Sequence, residues 1–262
     1  MTRIYAFVNQ KGGVGKTTTT ISLAAIFAAL GQRVLLVDLD PQANATSCLH
    51  VDKRSVQNGS YEVLIGSTTP TAAILQNPQL GLNLLPSTQN LTGAEVELIN
   101  ETGRESRLKN ALREILPEYD YILIDSPPSL GVLTLNALVA ADGGAIIPVQ
   151  CEYLALEGLS QLTQTIGRVR SAYNPTLAVR GVVMTMFDGR ANLANQVVEE
   201  VRSHFPGKVF ETIIPRSIRL AEAPSHGIPI SVYAPSSPGA LAYQSLAEEI
   251  LTSDGARIHS KG

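Results

Sequence analysis

The segment Gln10-Lys11-Gly12-Gly13-Val14-Gly15-Lys16-Thr17 constrains this chain more than any other. It follows a short apolar run, Ile4–Val8. After it, Ile21, Leu23, Ala24, Ala25, Phe27 and Ala28 recur at helical spacing until Gly31 offers a stop. A Gly-rich turn between a strand and a helix lets backbone N–H groups turn inward, and the helix start adds the positive end of its dipole. Together they cradle phosphate oxygens. Lys16 is placed to reach the β- and γ-phosphates, and the Thr17 hydroxyl to ligate Mg²⁺.

Strand and helix patterns alternate through the rest of the chain. Further strands are predicted at 33–37, 82–85, 121–124, 144–149 and 179–186, with an extended segment at 209–214. Helices are predicted at 17–30, 60–64, 94–99, 104–116, 156–171, 193–205 and 238–251. This alternation implies a doubly wound α/β fold, a mostly parallel sheet with helices on both faces. With no internal repeat and no Pro/Gly/Ser linker, residues 1–252 read as one domain and 253–262 as a polar, flexible tail.

Two more predicted strands finish in carboxylates, at the edge where open α/β sheets bind ligands. Asp38 and Asp40 stand two apart in Val37-Asp38-Leu39-Asp40-Pro41-Gln42 and share a face if the extended geometry persists. Tyr121-Ile122-Leu123-Ile124 ends at Asp125, which would hold Mg²⁺ through a water, because that ion gives up its hydration reluctantly. Pro127-Pro128 stiffens the turn that follows.

Composition narrows the alternatives. Cys48 and Cys151 are the two cysteines and stand in no C-x-x-C spacing, so neither a disulfide framework nor a zinc or iron–sulfur site is expected. His204 and His226 have no companion ligands at metal spacing and read as structural. No apolar stretch approaches about 18 residues, the start carries no signal-peptide pattern, and the tail lacks an amphipathic face. The expectation is a cytoplasmic protein with no membrane partner. A net charge of −3 argues against an overall basic coat but leaves room for a local basic patch.

The phosphate loop departs from G-x-x-x-x-G-K-[ST] in having Gln10 in place of the first glycine and a second lysine, Lys11, before Gly12-Gly13. In this it resembles the deviant Walker A box of the ParA/MinD family of P-loop ATPases. The resemblance extends through Asp38-Leu39-Asp40-Pro41-Gln42-Ala43-Asn44-Ala45-Thr46, Pro148-Val149-Gln150-Cys151-Glu152 and Pro215–Gly227 to Pro235, and it is nearest to the small chromosomal ParA, or Soj, type. It implies a homodimer around two ATP molecules, with Lys11 crossing to the partner's nucleotide and Gly12 and Glu152 at the interface. ATP and Mg²⁺ are the implied cofactors. Lys11, Gly12, Gly13, Val14, Gly15, Lys16, Thr17 and Thr18 would hold phosphates, and Met186, Pro215 and Arg216 would border the adenine. Lys11, Lys16 and Asp40 would act in slow hydrolysis, Asp40 by orienting the attacking water.

The resemblance further implies DNA binding without sequence preference in the ATP form, association with the nucleoid, and stimulation by a ParB-like partner. Between Arg168 and Ile230 eight basic residues face five acidic ones, and Arg190 and Arg219 match positions that bind DNA in the family. Scattered arginines are also ordinary solvated surface residues. Two other readings stay open: the same switch positioning another cargo, such as a carboxysome or chemoreceptor cluster, and a non-hydrolysing ATP-dependent regulator. A ligase or kinase built on the same loop is more remote.

Overall fold

The structure, a computed structural model, describes residues 1–152 and 155–258. Seven strands form one sheet: β1 (Arg3–Phe7), β2 (Val34–Asp38), β3 (Leu75–Asn77), β4 (Leu82–Leu85), β5 (Tyr121–Asp125), β6 (Gly144–Gln150) and β7 (Val179–Thr185). Their order is β3-β4-β2-β5-β1-β6-β7, and every pairing is parallel except β3 with β4. The expected doubly wound, mostly parallel α/β architecture is the one found.

Alternation along the strands sorts their side chains into two cores. Ile4, Ala6, Leu35, Val37, Ile122 and Ile124 pack on one face, under the helices Val132–Ala140 and Ala155–Ala172. Tyr5, Phe7, Val34, Leu36, Tyr121 and Leu123 pack on the other, under Lys16–Ala29 and Pro238–Ser253. Strands buried on both faces have to be apolar at nearly every position, and these are. Pro148 is tolerated in β6 because the pairing with β1 has already ended at Phe7–Ile146. Beyond that point the Asn9 side chain donates to the Pro148 carbonyl at 2.7 Å.

Several elements differ from the sequence expectation. The helix Val132–Ala140 was not expected. Seven of its nine residues are buried, so its sequence is apolar nearly all round and carries no amphipathic period. The predicted helix 104–116 breaks into a 3₁₀ turn at Arg104–Ser106, a helix at Arg107–Leu112 and a second 3₁₀ turn at Leu116–Glu118, where Pro117 interrupts the hydrogen bonding. β3 is three residues on an antiparallel edge, too short for a periodic signal. The segment 209–214, expected to be extended, meets β7 at an isolated bridge, Val182 to Val209, and through Ile214 N, which donates to the Met184 carbonyl at 2.8 Å.

The last helix runs to Ser253, two residues past its predicted end at 251. The next residue is anchored, not free. The Asp254 side chain is 2% exposed and accepts from the Tyr5 hydroxyl at 2.6 Å, the Tyr121 hydroxyl at 3.1 Å and Arg180 at 3.1 Å. Residues 259–262 of the expected tail lie outside the described residues. Among the described residues, no helix is long and apolar enough to cross a membrane.

Parallel register brings three strand ends together at one edge. Phe7 pairs with Asp125 across β1 and β5, and Asp38 with Asp125 across β2 and β5. The loop after β1 therefore sits above a floor of carboxylates.

Candidate active site

Gly13 and Gly15 have φ of 76° and 89°, in the left-handed region where a β-carbon is strained, so the loop needs glycine there. Gly15 caps the helix Lys16–Ala29 with no side-chain hydrogen bond and no acidic residue in the first turn. The first N–H groups of that helix are thus left for a ligand. The loop is held from outside: the Thr185 hydroxyl donates to the Val14 carbonyl at 2.9 Å, and Lys11 N donates to Asn9 Oδ1 at 3.0 Å. Two neighbouring strands hold the cradle in shape.

Lys16 is buried, at 7% exposure, and its amine lies 3.4 Å from the Lys11 carbonyl. Burial pulls its pKa down, and the charges of Asp125 and Asp40 pull it partly back. Thr17 Oγ1 donates to Asp125 Oδ2 at 2.7 Å, and Thr20 Oγ1 to Asp125 Oδ1 at 3.2 Å. Asp125 is fully buried. Burial first, and then the charge of Asp38, raise its pKa, against the Thr17 hydrogen bond. Asp38 is raised for the same leading reason, opposed by its hydrogen bonds from Thr46. Three carboxylates share this edge with one buried ammonium group, a balance that favours a cation. A carboxylate beside a hydroxyl suits a hard ion that keeps water and takes oxygens from a phosphate. Thr17 and Asp125 fit such an ion.

Asp38 and Asp40 do not share a face. β2 ends at Asp38, and the chain turns so that Asp40 N donates back to Asp38 Oδ1 at 3.1 Å. Asp38 faces inward, while Asp40 lines the cleft and accepts from Gln42 N at 2.9 Å.

The cleft has two lobes. The first, of about 290 Å³, is lined by Gly12, Gly13, Lys16, Thr17, Asp40 and Pro128, among others. The second, of about 300 Å³, is lined by Met186, Pro215, Arg216, Leu220, Ala221 and Tyr243, among others. Gly15, Thr18 and Met186 border both lobes, so they form one continuous space. The first is polar and the second more apolar, as a triphosphate and a base would require. Met186 adopts φ 53°, a strained value for a residue with a β-carbon, where the chain leaves β7 for the cleft.

Lys11 is not part of this interior. Its side chain is half exposed and forms an ion pair with Glu152 at the mouth. Arg190 and Arg219 are exposed, and each is paired with a nearby acid, Arg190 on the turn after β7 and Arg219 within the short helix Ile218–Glu222. Arg190 makes a bidentate contact to Asp188 at 2.9 and 2.8 Å, and Arg219 reaches Glu222 at 2.9 Å. Arg190 holds the Asp188 carboxyl down at about 2. The bridge from Phe187 to Pro215 sets the segments that carry them side by side.

Sequence reasoning missed Tyr243, which comes from far along the chain and carries no motif, and gave no role to Leu220 and Ala221, which stand inside the run Pro215–Gly227. Gln42, Asn44 and Pro128 stood inside runs already singled out, but no role marked them.

Comparison with known proteins agrees with this geometry. A family model described as an AAA domain matches residues 2–179. The chain is 53% identical over 253 residues to the chromosome partitioning protein ParA of Myxococcus xanthus, covering 96% of this chain and 89% of that one. It is 53% identical over 249 residues to the chromosome-partitioning ATPase Soj of Thermus thermophilus, covering 95% of each. Among solved structures, cobyrinic acid a,c-diamide synthase from Mycobacterium smegmatis with bound ADP and magnesium is similar at a TM-score of 0.86 and 39% identity, over 98% of both chains.

Proposed function

The chain belongs to the ParA/Soj family of chromosome-partitioning proteins, and from that premise we propose that it is an ATP-dependent dimerising switch. In its ATP form it binds DNA without sequence preference, and it hydrolyses ATP slowly when a ParB-like partner stimulates it. The observation that carries this reading is the division of labour between the two loop lysines. Lys16 is buried beneath the loop, whereas Lys11 is half exposed at the mouth and paired with Glu152. A point charge inside the cradle serves the chain's own phosphates. One outside it is free to serve a second copy's.

Within the cleft, the unclaimed N–H groups after Gly15 and the Lys16 ammonium take the phosphate charge. Bound Mg²⁺ supplies charge compensation on the phosphate oxygens, with Thr17 and Asp125 to hold it. Asp40 orients the attacking water. A carboxylate is by nature a weak base, so positioning and electrostatics carry the reaction and turnover is slow. Met186, Pro215 and Arg216 receive the adenine. Exposed Arg190 and Arg219 on adjoining segments, doubled in a dimer, supply sequence-indifferent phosphate contacts.

Size-exclusion chromatography with ATP and Mg²⁺ tests the reading. Asp40→Ala is expected to accumulate as an ATP-bound dimer, and Lys11→Ala to bind ATP as a monomer without dimerising. Equal loss of monomer affinity in Lys11→Ala and Lys16→Ala would put both lysines to work in cis and end the two-destination account. The similarity to a named diamide synthase favours a second reading, group transfer to a small molecule. Phosphate release from ATP and water alone, with no other substrate present, separates the two.

A further inference from the structure

Asp40 lies past the end of β2, on a turn, yet its backbone is held on both sides. Its N–H donates to Asp38 Oδ1 at 3.1 Å. Its carbonyl accepts from Ser87 Oγ at 2.7 Å and from Ala43 N at 2.8 Å. These tethers are joined to one another. Asp38 Oδ2 accepts from Thr46 N at 2.8 Å and from Thr46 Oγ1 at 2.7 Å, and Thr46 Oγ1 in turn accepts from Ser87 N at 2.9 Å. The circuit Asp40–Asp38–Thr46–Ser87 closes on itself. It links β2, the short helix Asn44–Ser47 and the segment after β4.

Three properties mark this circuit as more than packing. Asp38, Thr46 and Ser87 are each fully buried, where an unpaired polar group is costly and a paired one fixes position. The Thr46 hydroxyl donates once and accepts once, so its rotor has a single arrangement. And the turn it braces includes Ala43 at φ 54°, a left-handed conformation that surrounding bonds have to impose on a residue with a β-carbon. All this polar structure converges on the backbone of one cleft residue, while Asp38, Thr46 and Ser87 themselves do not line the phosphate lobe.

We infer that Asp38, Thr46 and Ser87 are positioning residues that set the Asp40 carboxylate for hydrolysis by holding its backbone N–H and its backbone carbonyl. The inference rests on the reading of Asp40 as the water-orienting group. The phosphate cradle is built from other residues, so loosening the circuit leaves nucleotide binding in place and degrades only the geometry of attack. Displacements of about 1 Å are enough to cost on the order of 100-fold in rate.

The test uses Ser87→Ala and Thr46→Val in the full chain, beside Asp40→Ala. Turnover, ATP affinity and thermal melting are measured on the same preparations. Each circuit variant is expected to lose about tenfold or more in kcat, with the dissociation constant for ATP unchanged within about twofold. Thr46→Ser keeps the hydroxyl and is expected to recover most of the turnover. Ser87→Ala removes one hydroxyl and can be read alone if Thr46→Val does not fold. Parental turnover in Ser87→Ala, or loss of affinity in step with turnover, overturns the inference while an inactive Asp40→Ala leaves the role of Asp40 standing. If Asp40→Ala itself turns over at the parental rate, the reading of Asp40 fails first and the inference falls with it.

Discussion

The two edges of the sheet treat buried charge in opposite ways. At the C-terminal edge, Asp38, Asp40 and Asp125 share one buried ammonium group, Lys16. At the N-terminal edge a single carboxylate, Asp254, is shared by Tyr5, Tyr121, Arg180 and Arg3. The N-terminal edge also carries a cavity, about 610 Å³, comparable with the two lobes of the cleft taken together, at about 290 and about 300 Å³. Size alone does not direct a search for function to either end. Charge balance sends it to the right one, because an excess of buried carboxylate is tolerable only where something else is meant to bind, and a saturated one is a clamp.

Removing Lys16 strikes the unbalanced edge hardest. Lys16→Ala is expected to weaken ATP binding by about 100-fold or more, since a buried charge-assisted contact is lost and the carboxylates are left unopposed. Titration with a fluorescent nucleotide measures it. Affinity within a few-fold of the parent would mean that the loop backbone alone carries the phosphates.

Asp254→Ala tests the other edge. It removes the acceptor that four groups share, and with Arg180 and Arg3 partly exposed the cost is about 2–3 kcal/mol. In a chain of this size that lowers Tm by roughly 5–10 °C. ATP affinity well below the melting temperature is expected to stay at the parental value. Because the helix Pro238–Ser253 also brings Tyr243 to the cleft, a drop in affinity would show that the clamp reaches the site and that the two edges are not independent.

Smaller effects belong to the exposed arginines. Arg190→Ala and Arg219→Ala are expected to leave Tm close to the parental value, as loss of an exposed surface pair does, and to weaken binding of the ATP-trapped dimer evenly across unrelated duplexes. The smallest change comes from Asp188→Asn, which frees the Arg190 guanidinium from its bidentate partner. Binding should strengthen and the slope of log affinity against log salt should steepen by up to about 0.9 per added phosphate contact. A slope that stays put would place the DNA surface elsewhere.

Much of the cleft was legible because its chemistry is local. The cradle is built from consecutive residues whose backbone conformation glycine permits, and Lys16 and Thr17 follow at fixed helical offsets. Short continuous apolar runs gave the central strands, and their acidic ends pointed to the ligand edge. The helix Val132–Ala140 escaped for the converse reason, since a helix buried all round has no period to read.

The sequence by itself determined the sheet class, the phosphate loop and the carboxylates that could serve it, because each depends on residues near one another in the chain. Only the tertiary structure decided the rest. It paired Lys11 with Glu152, set Tyr243 beside Met186, bonded Thr46 to Ser87 across 41 residues and Tyr5 to Asp254 across 249. Those contacts follow from strand order and register. Hydrophobic periodicity specifies which face of a strand is buried but not which strand lies next to it, so partners that meet through the order of the sheet leave no trace in the local pattern.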